Sequence, residues 1–290
     1  MRRSARTRGA HLPPLERVQA LTQPAGGPSV SLDLLARADL VVLGALADAS
    51  NLALLVRLED DEGPLAIYKP IRGERPLWDF PDGSLAAREV AAHLISSTGG
   101  WDVVPETVLR DGPRGPGSVQ RWVGDPETAP DYVVDLVTPD EVPPGWLAVL
   151  RGEDERGRPV VVVHEDSPVV RAVAAFDAVI NNSDRKGSHL VREGDRLRGF
   201  DHGVSLHEDP KLRTVLWGFA GQPLPDDDVV RITRVGDALA DGGSTLRTEL
   251  APLLTPVEVT ALAARCAALL DHAAYPVPSG DWPAIPWPPL

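Results

Sequence analysis

Residues 181–207 read NNSDRKGSHLVREGDRLRGFDHGVSLH, the densest set of polar side chains flanked by apolar runs in this chain. The apolar run 169–180 leads into Asn181-Asn182-Ser183-Asp184-Arg185-Lys186. A short strand-like segment, a charged turn at 192–196, the run 197–200 and Asp201-His202-Gly203 follow. The spacing predicts a helix, a polar loop, a hairpin and a carboxylate, in that order. Strands joined by a tight turn return to their starting level, so such a hairpin brings Asp184 and Asp201 close together in space. Two carboxylates placed this way suit one metal-phosphate site. Phosphoryl transfer asks a protein for a carboxylate that orients the nucleophilic hydroxyl, another that holds Mg²⁺, and a cation on the phosphates. Clusters of Asp, Asn, Gly and Ser also make ordinary turns; Asp184 alone decides nothing, and the ordered set is read together with what lies upstream.

The run Asn181-Asn182-Ser183-Asp184-Arg185-Lys186-Gly187-Ser188-His189, followed by Phe200-Asp201-His202-Gly203, resembles the catalytic loop and metal-binding segment of the phosphatidylinositol 3-/4-kinase-like superfamily. That superfamily includes the HipA-type bacterial kinases, and the likeness is greatest to an actinobacterial kinase-like group. The resemblance implies an α+β, bilobal protein-kinase-like fold, with a small β-rich N-lobe carrying one helix and a larger α-rich C-lobe. It implies ATP and Mg²⁺ as cofactors and a hydroxyl-bearing acceptor. The family's Asp-Arg pair falls on Asp184-Arg185 and its metal-binding Asp on Asp201. One position departs from the pattern: the superfamily has Asn five residues after the catalytic Asp, and this chain has His189. Imidazole is a softer ligand than Mg²⁺ prefers, so either His189 takes another role or the second metal site is weakened.

Upstream, residues 40–46 and 52–58 are apolar, strand-length runs around a small polar turn. They predict a hairpin with Gly44, Ser50 and Asn51 at or near its tip, where small side chains let backbone N–H groups approach an anion. A third strand, 65–70, ends in Lys69, which matches the superfamily lysine that reaches the ATP phosphates. Ser84 is the expected cap of a helix to about residue 97, on which Glu89 matches the carboxylate that pairs with that lysine. Glu74 is a second candidate partner. Two further strands are expected at 103–109 and 118–123, separated by a Gly/Pro-rich stretch. The second occupies the place of the adenine-reading hinge, making Gln120, Arg121 and Trp122 candidates for the adenine edge.

The acidic, Pro-rich stretch 124–144 predicts the crossing between lobes. The organisation read here is a flexible arm at 1–28, an N-lobe at 29–123 and a C-lobe at 124–290. Residues 31–38 predict a short helix capped by Ser31, with Leu32, Leu34 and Leu35 inward. Residues 146–151 and 160–164 read as a β-ribbon or as a short helix leading to a strand. Residues 217–225 form an aromatic turn where an activation segment or substrate loop would lie. Helices are expected at 228–239 and 256–272, and a polyproline-like tail at 275–290 packs on the protein's own surface or binds a partner, packing being the expected case.

The composition narrows the partners. A formal net charge of −13 over 290 residues argues against a nucleic-acid partner and against stable residence on an anionic membrane, both of which use clustered Lys and Arg. No run of about twenty apolar residues is present, and residues 1–15 are basic without an apolar segment behind them, so a cytoplasmic location is expected. The single cysteine, Cys266, sits in an apolar helical run and reads as packing. Lysine occurs only as Lys69, Lys186 and Lys211 in a chain that otherwise chooses Arg, which suggests sites wanting a compact point charge. In the resulting reading Asp184, Lys186 and Lys69 are catalytic, Lys69 and Glu89 grip the nucleotide, and Asp201 and His189 face the metal. Transfer of AMP on the same fold and a non-catalytic nucleotide-binding scaffold are the competing readings.

Overall fold

The computed structural model describes residues 30–46, 51–60, 62–124 and 131–290. The 1–28 arm lies outside the described residues. Helix α1, Leu32–Arg37, is capped as expected: Ser31 Oγ accepts from Leu34 N at 3.2 Å. Leu35 is buried, whereas Leu32 is 45% exposed. At 3.6 residues per turn, Leu32 and Leu34 lie on nearly opposite sides of the axis, so the three leucines cannot all face inward.

A five-stranded antiparallel sheet follows. It comprises β1 (Leu40–Ala45), β2 (Leu54–Leu58), β3 (Leu65–Pro70), β4 (Thr107–Gly112) and β5 (Gly115–Arg121), in the order β1-β2-β3-β5-β4. Leu54, Val56, Leu58, Ala66, Tyr68 and Val119 form its core. β4 starts later than the apolar pattern suggests. Val103 and Val104 are buried, but their N–H groups donate to Ser96 Oγ at 3.0 and 3.2 Å instead of joining the ladder. The Gly/Pro-rich stretch expected to separate the two strands is itself paired, Gly112 opposite Gly115. A Cβ at Gly117 would come within 2.4 Å of the Lys69 carbonyl; glycine here lets β5 close on the strand that carries Lys69.

Between β3 and β4 runs α2, Leu85–Gly99. Ser84 does not cap it with its side chain: its hydroxyl donates to Pro81 O at 2.7 Å. The first N–H groups go to the Glu74 carboxylate, Ala86 N at 2.9 Å and Leu85 N at 3.2 Å. A full negative charge at the positive end of a helix serves better than a hydroxyl, and it commits Glu74 away from Lys69. Arg88, 1% exposed, anchors the same helix to the C-lobe through an ion pair with Glu258 and a bond to Ser205 O at 2.8 Å.

The C-terminal part begins with a three-stranded sheet, β6 (Val134–Val137), β7 (Trp146–Glu153) and β8 (Pro159–Glu165), ordered β6-β8-β7. β6 falls inside the stretch expected to be the crossing between lobes; Pro139, Pro143 and Pro144 lie beyond its end, where they disturb no ladder bond. Residues 146–151 are strand, which settles the alternative left open above. Helix α3 (Pro168–Ile180), the hairpin β9 (Leu190–Glu193) and β10 (Arg196–Gly199), and helices α4 (Asp226–Ala240), α5 (Thr245–Leu250) and α6 (Pro256–His272) complete it. The short α5, capped by Ser244 Oγ on Arg247 N at 3.1 Å, carries too few residues for a clear period. Phe176, Ile180, Leu206, Phe219, Ile232 and Leu262 are fully buried in one core. Cys266 belongs to it, and burial pushes its thiol up to about 11. Among the described residues no helix is long and apolar enough to cross a membrane.

Breaking a buried ion pair from one side strands a charge, at a cost of about 3–5 kcal/mol. Glu258→Gln should therefore lower the urea unfolding free energy by roughly 3 kcal/mol. The double variant Arg88→Met/Glu258→Leu should lose less than either single change.

Candidate active site

Lys69 is the point where three parts of the chain meet. Its Nζ lies 2.5 Å from Glu89 Oε1 on α2 and 2.9 Å from Asp201 Oδ1 just beyond the β9-β10 hairpin. The other Glu89 oxygen accepts from His202 N at 3.0 Å, which ties the segment after the hairpin to the helix. Asp201 turns the chain there with φ +60°. Gly203 slides beneath the helix, where a Cβ would meet Leu85 Cβ at 3.2 Å and Glu89 Oε1 at 3.7 Å.

Burial alone would depress Lys69, but the charges of Asp201 and Glu89 outweigh it and raise its pKa. The Lys69 charge in turn holds Asp201 below the usual carboxylate range. Asp201 keeps 55% of its side-chain surface accessible, so a ligand can reach it, whereas Glu89 at 4% is sealed in.

A second buried cluster shapes the loop at 182–185. Arg185 is fully buried and donates Nε and Nη2 to Asp177 at 2.8 and 2.9 Å, and Nη1 to Phe200 O at 3.1 Å. Its Nη2 also meets His202 Nε2 at 2.7 Å. Burial first, and then the Arg185 charge, hold His202 well below its ordinary pKa, so it is neutral and accepts this bond at Nε2. Asp177 further accepts from Asn182 Nδ2 at 3.0 Å, and Asn182 Oδ1 accepts from Asp184 N at 3.0 Å. Asp177 was not singled out from the sequence. The signal for it was an acid inside the apolar run Val-Ala-Ala-Phe-Asp-Ala-Val-Ile at the end of α3.

Asp184 is partly buried, with Oδ2 3.3 Å from Lys186 Nζ. Burial raises its pKa and the charge of Asp201 adds to this, against the opposing charges of Lys186 and Arg213. His189 places Nε2 3.6 Å from Asp201 Oδ2. Burial pulls its pKa down to about 4, leaving a neutral ring at physiological pH. Lys186 N–H points at His189 Nδ1 at 3.5 Å, which favours the tautomer with its proton on Nε2, towards Asp201.

Among the described residues no group of three or more His, Cys, Asp or Glu side chains is arranged to hold a metal by itself. Mg²⁺ is commonly bound by one or two carboxylates together with phosphate oxygens and water. The accessible carboxylate of Asp201, with Asp184 near enough to feel its charge, is a donor set that fits a magnesium arriving on a nucleotide.

The other sequence candidates are placed as follows. Gly44 lies within β1, paired with Leu55 beside a bulge. Asn51 Oδ1 accepts from Arg75 N at 2.8 Å, and Ser50 lies outside the described residues. Gln120 is buried, its amide donating to Thr107 Oγ1 at 2.8 Å. Arg121 N–H donates to Glu106 O and Trp122 N–H to Leu65 O, at 2.9 and 3.1 Å, so both donors already have protein partners. The Arg121 side chain is an interlobe strut, 2.6 Å from both Glu106 and Glu193.

Lys211, the third lysine, pairs with Asp79 at 2.8 Å and sits over Trp78 and Trp282, 4.8 and 5.0 Å from their ring centres. The polyproline-like tail packs on the protein: Trp217 Nε1 donates to Ala284 O at 2.7 Å and Gly187 N to Pro289 O at 2.9 Å. The aromatic turn expected to be an activation or substrate loop thus lies against this tail. A cavity of about 480 Å³ lined by Trp101, Arg171 and Asp228 lies apart from the Lys69 crevice.

No protein-family model matches the chain. It is 44% identical over 265 residues to Protein Rv2133c of Mycobacterium tuberculosis, spanning 88% of this chain and 94% of that protein. Among solved structures it is similar to hydra Fam20 with sugar, at a TM-score of 0.53 and 14% identity over 83% of this chain and 86% of the other. The Golgi casein kinase (TM-score 0.45, 14% identity, 86% and 79% covered) and the Helicobacter pylori proinflammatory kinase CtkA (0.43, 11%, 83% and 94%) also match. At these identities the likeness concerns the fold alone. The fold is bilobal and kinase-like, as the sequence implied.

The His189 environment can be read directly. Its imidazole should titrate in NMR with a midpoint at about 4. Because the Asp201 charge raises that value, Asp201→Asn should move the midpoint lower still; an upward move would contradict the arrangement.

Proposed function

The chain belongs to the family of Protein Rv2133c of Mycobacterium tuberculosis, and from its kinase-like fold and the crevice at Lys69 we propose an ATP-dependent phosphotransferase acting on a hydroxyl acceptor. The observation that carries the proposal is the convergence of Lys69, Glu89 and Asp201 within ion-pair distance, with Asp184 close enough to feel the Asp201 charge. The order Asp184-Arg185 followed by Asp201 supports placing the chain in the phosphatidylinositol 3-/4-kinase-like superfamily. On this reading the lobes divide near residue 123. The acidic composition supports a protein with neither a nucleic acid nor an anionic membrane as stable partner.

Lys69, kept charged by Glu89, meets the α and β phosphates of ATP. Asp201, with Asp184 beside it, would hold the magnesium that accompanies the nucleotide, which offsets charge on the β and γ phosphates when bound. Asp184 orients the acceptor hydroxyl and takes its proton as the acceptor oxygen bonds to the γ phosphorus. The bond from that phosphorus to the β–γ bridging oxygen breaks, and ADP leaves. Lys186, 3.3 Å from Asp184, neutralises charge on the moving phosphoryl group. Neutral His189 is available to hydrogen-bond the acceptor or the Asp201 carboxylate.

Asp184→Asn and Asp201→Ala should each lower ATP turnover by about a hundredfold or more in a chain that still folds by circular dichroism; unaltered turnover in either variant rejects that residue's role. Asp184 works ionised and burial raises its pKa. Activity should therefore be full at neutral pH and fall with acidification at a pH above the ordinary aspartate value of about 3.9. Chromatography of the products separates ADP, the expected one, from the AMP or pyrophosphate of a nucleotidyl transfer.

A further inference from the structure

Arg213 is fixed beside the proposed base. Its N–H donates to Asn182 O at 2.9 Å and its carbonyl accepts from Arg185 N at 3.0 Å, so the backbone at 213 runs alongside Ser183 and Asp184. Its guanidinium lies near enough to lower the Asp184 pKa. Neighbouring arginines all have carboxylate partners: Arg185 has Asp177, Arg192 has Glu165 and Arg198 has Glu193. Among the described residues Arg213 has none. Its side chain makes one marginal contact, Nη2 to Ile285 O at 3.5 Å, and its buried Nε has no partner.

A partly desolvated guanidinium with no carboxylate at ion-pair distance is unfavourable, and its planar fork suits a carboxylate or a phosphate. Asp184 already has Lys186 as its nearer cation. Resting on the phosphotransferase reading above, we propose that Arg213 recognises an anionic group on the acceptor, so that the acceptor is a small hydroxylated metabolite bearing a carboxylate or a phosphate. Lys186 then serves the transferred group and Arg213 the acceptor, two cations for two anions near one base.

The test titrates inorganic phosphate, and separately acetate, into the full chain saturated with Mg²⁺ and a non-hydrolysable ATP analogue, followed by calorimetry. Saturable binding of one or both anions is expected, and the stronger of the two names the group. Arg213→Gln should weaken it at least about tenfold, equal to about 1.4 kcal/mol, more than it alters the analogue's own affinity. Arg213→Lys, which keeps the charge and loses the fork, should weaken it severalfold and serves if the Gln variant does not fold. No saturable binding of either anion, equal binding by the variants, or an equal loss of analogue affinity overturns the role. If the analogue itself fails to bind, the phosphotransferase reading fails, and the same titrations into the free chain decide Arg213 separately.

Discussion

One ammonium group sets the geometry on which the crevice depends. Lys69 stands between Glu89 and Asp201, two carboxylates that would repel each other without it. Glu89 is buried and tolerates its charge because it accepts from both Lys69 and the His202 backbone. Strand, helix and post-hairpin segment are therefore positioned by the same few atoms. Asp201, the most exposed of the three, keeps a face open to solvent.

Beneath this lies a second charged cluster, closed to solvent. Arg185 and Asp177 are fully buried and fully hydrogen-bonded, and together they bind α3, the loop at 182–185 and the end of the hairpin. Such a pair adds little net stability, since both charges had to leave water, but a partial version would be costly. The pair therefore favours one loop conformation over its neighbours. Neutral His202 completes it by accepting a hydrogen bond from Arg185 without adding a third charge.

Much of this was legible in the chain itself. The hairpin was readable because alternation and turn residues are local, and α6 begins where Thr255 and Glu258 form a capping box. Lys69, Glu89 and Asp201 were found through a motif order, and the structure brings their side chains together. What stayed hidden is long-range pairing, which leaves no period. Glu74 reads as an alternative partner for Lys69 until its carboxylate is seen on the α2 N-terminus. Arg121 reads as part of a strand until its guanidinium is seen bridging Glu106 and Glu193. Asp177 and Arg213 have meaning only once distant segments lie side by side.

The residue before Glu89 carries a consequence of its own. Many protein kinases are switched by moving the helix that bears the lysine's partner. Here that helix is riveted to the far lobe by Arg88, which holds Glu258 and the Ser205 carbonyl from a position closed to water. Swinging it outward would break the Arg88–Glu258 pair and strand two buried charges. On the phosphotransferase reading, a helix anchored in this way favours a standing Lys69–Glu89 pair over a toggled one.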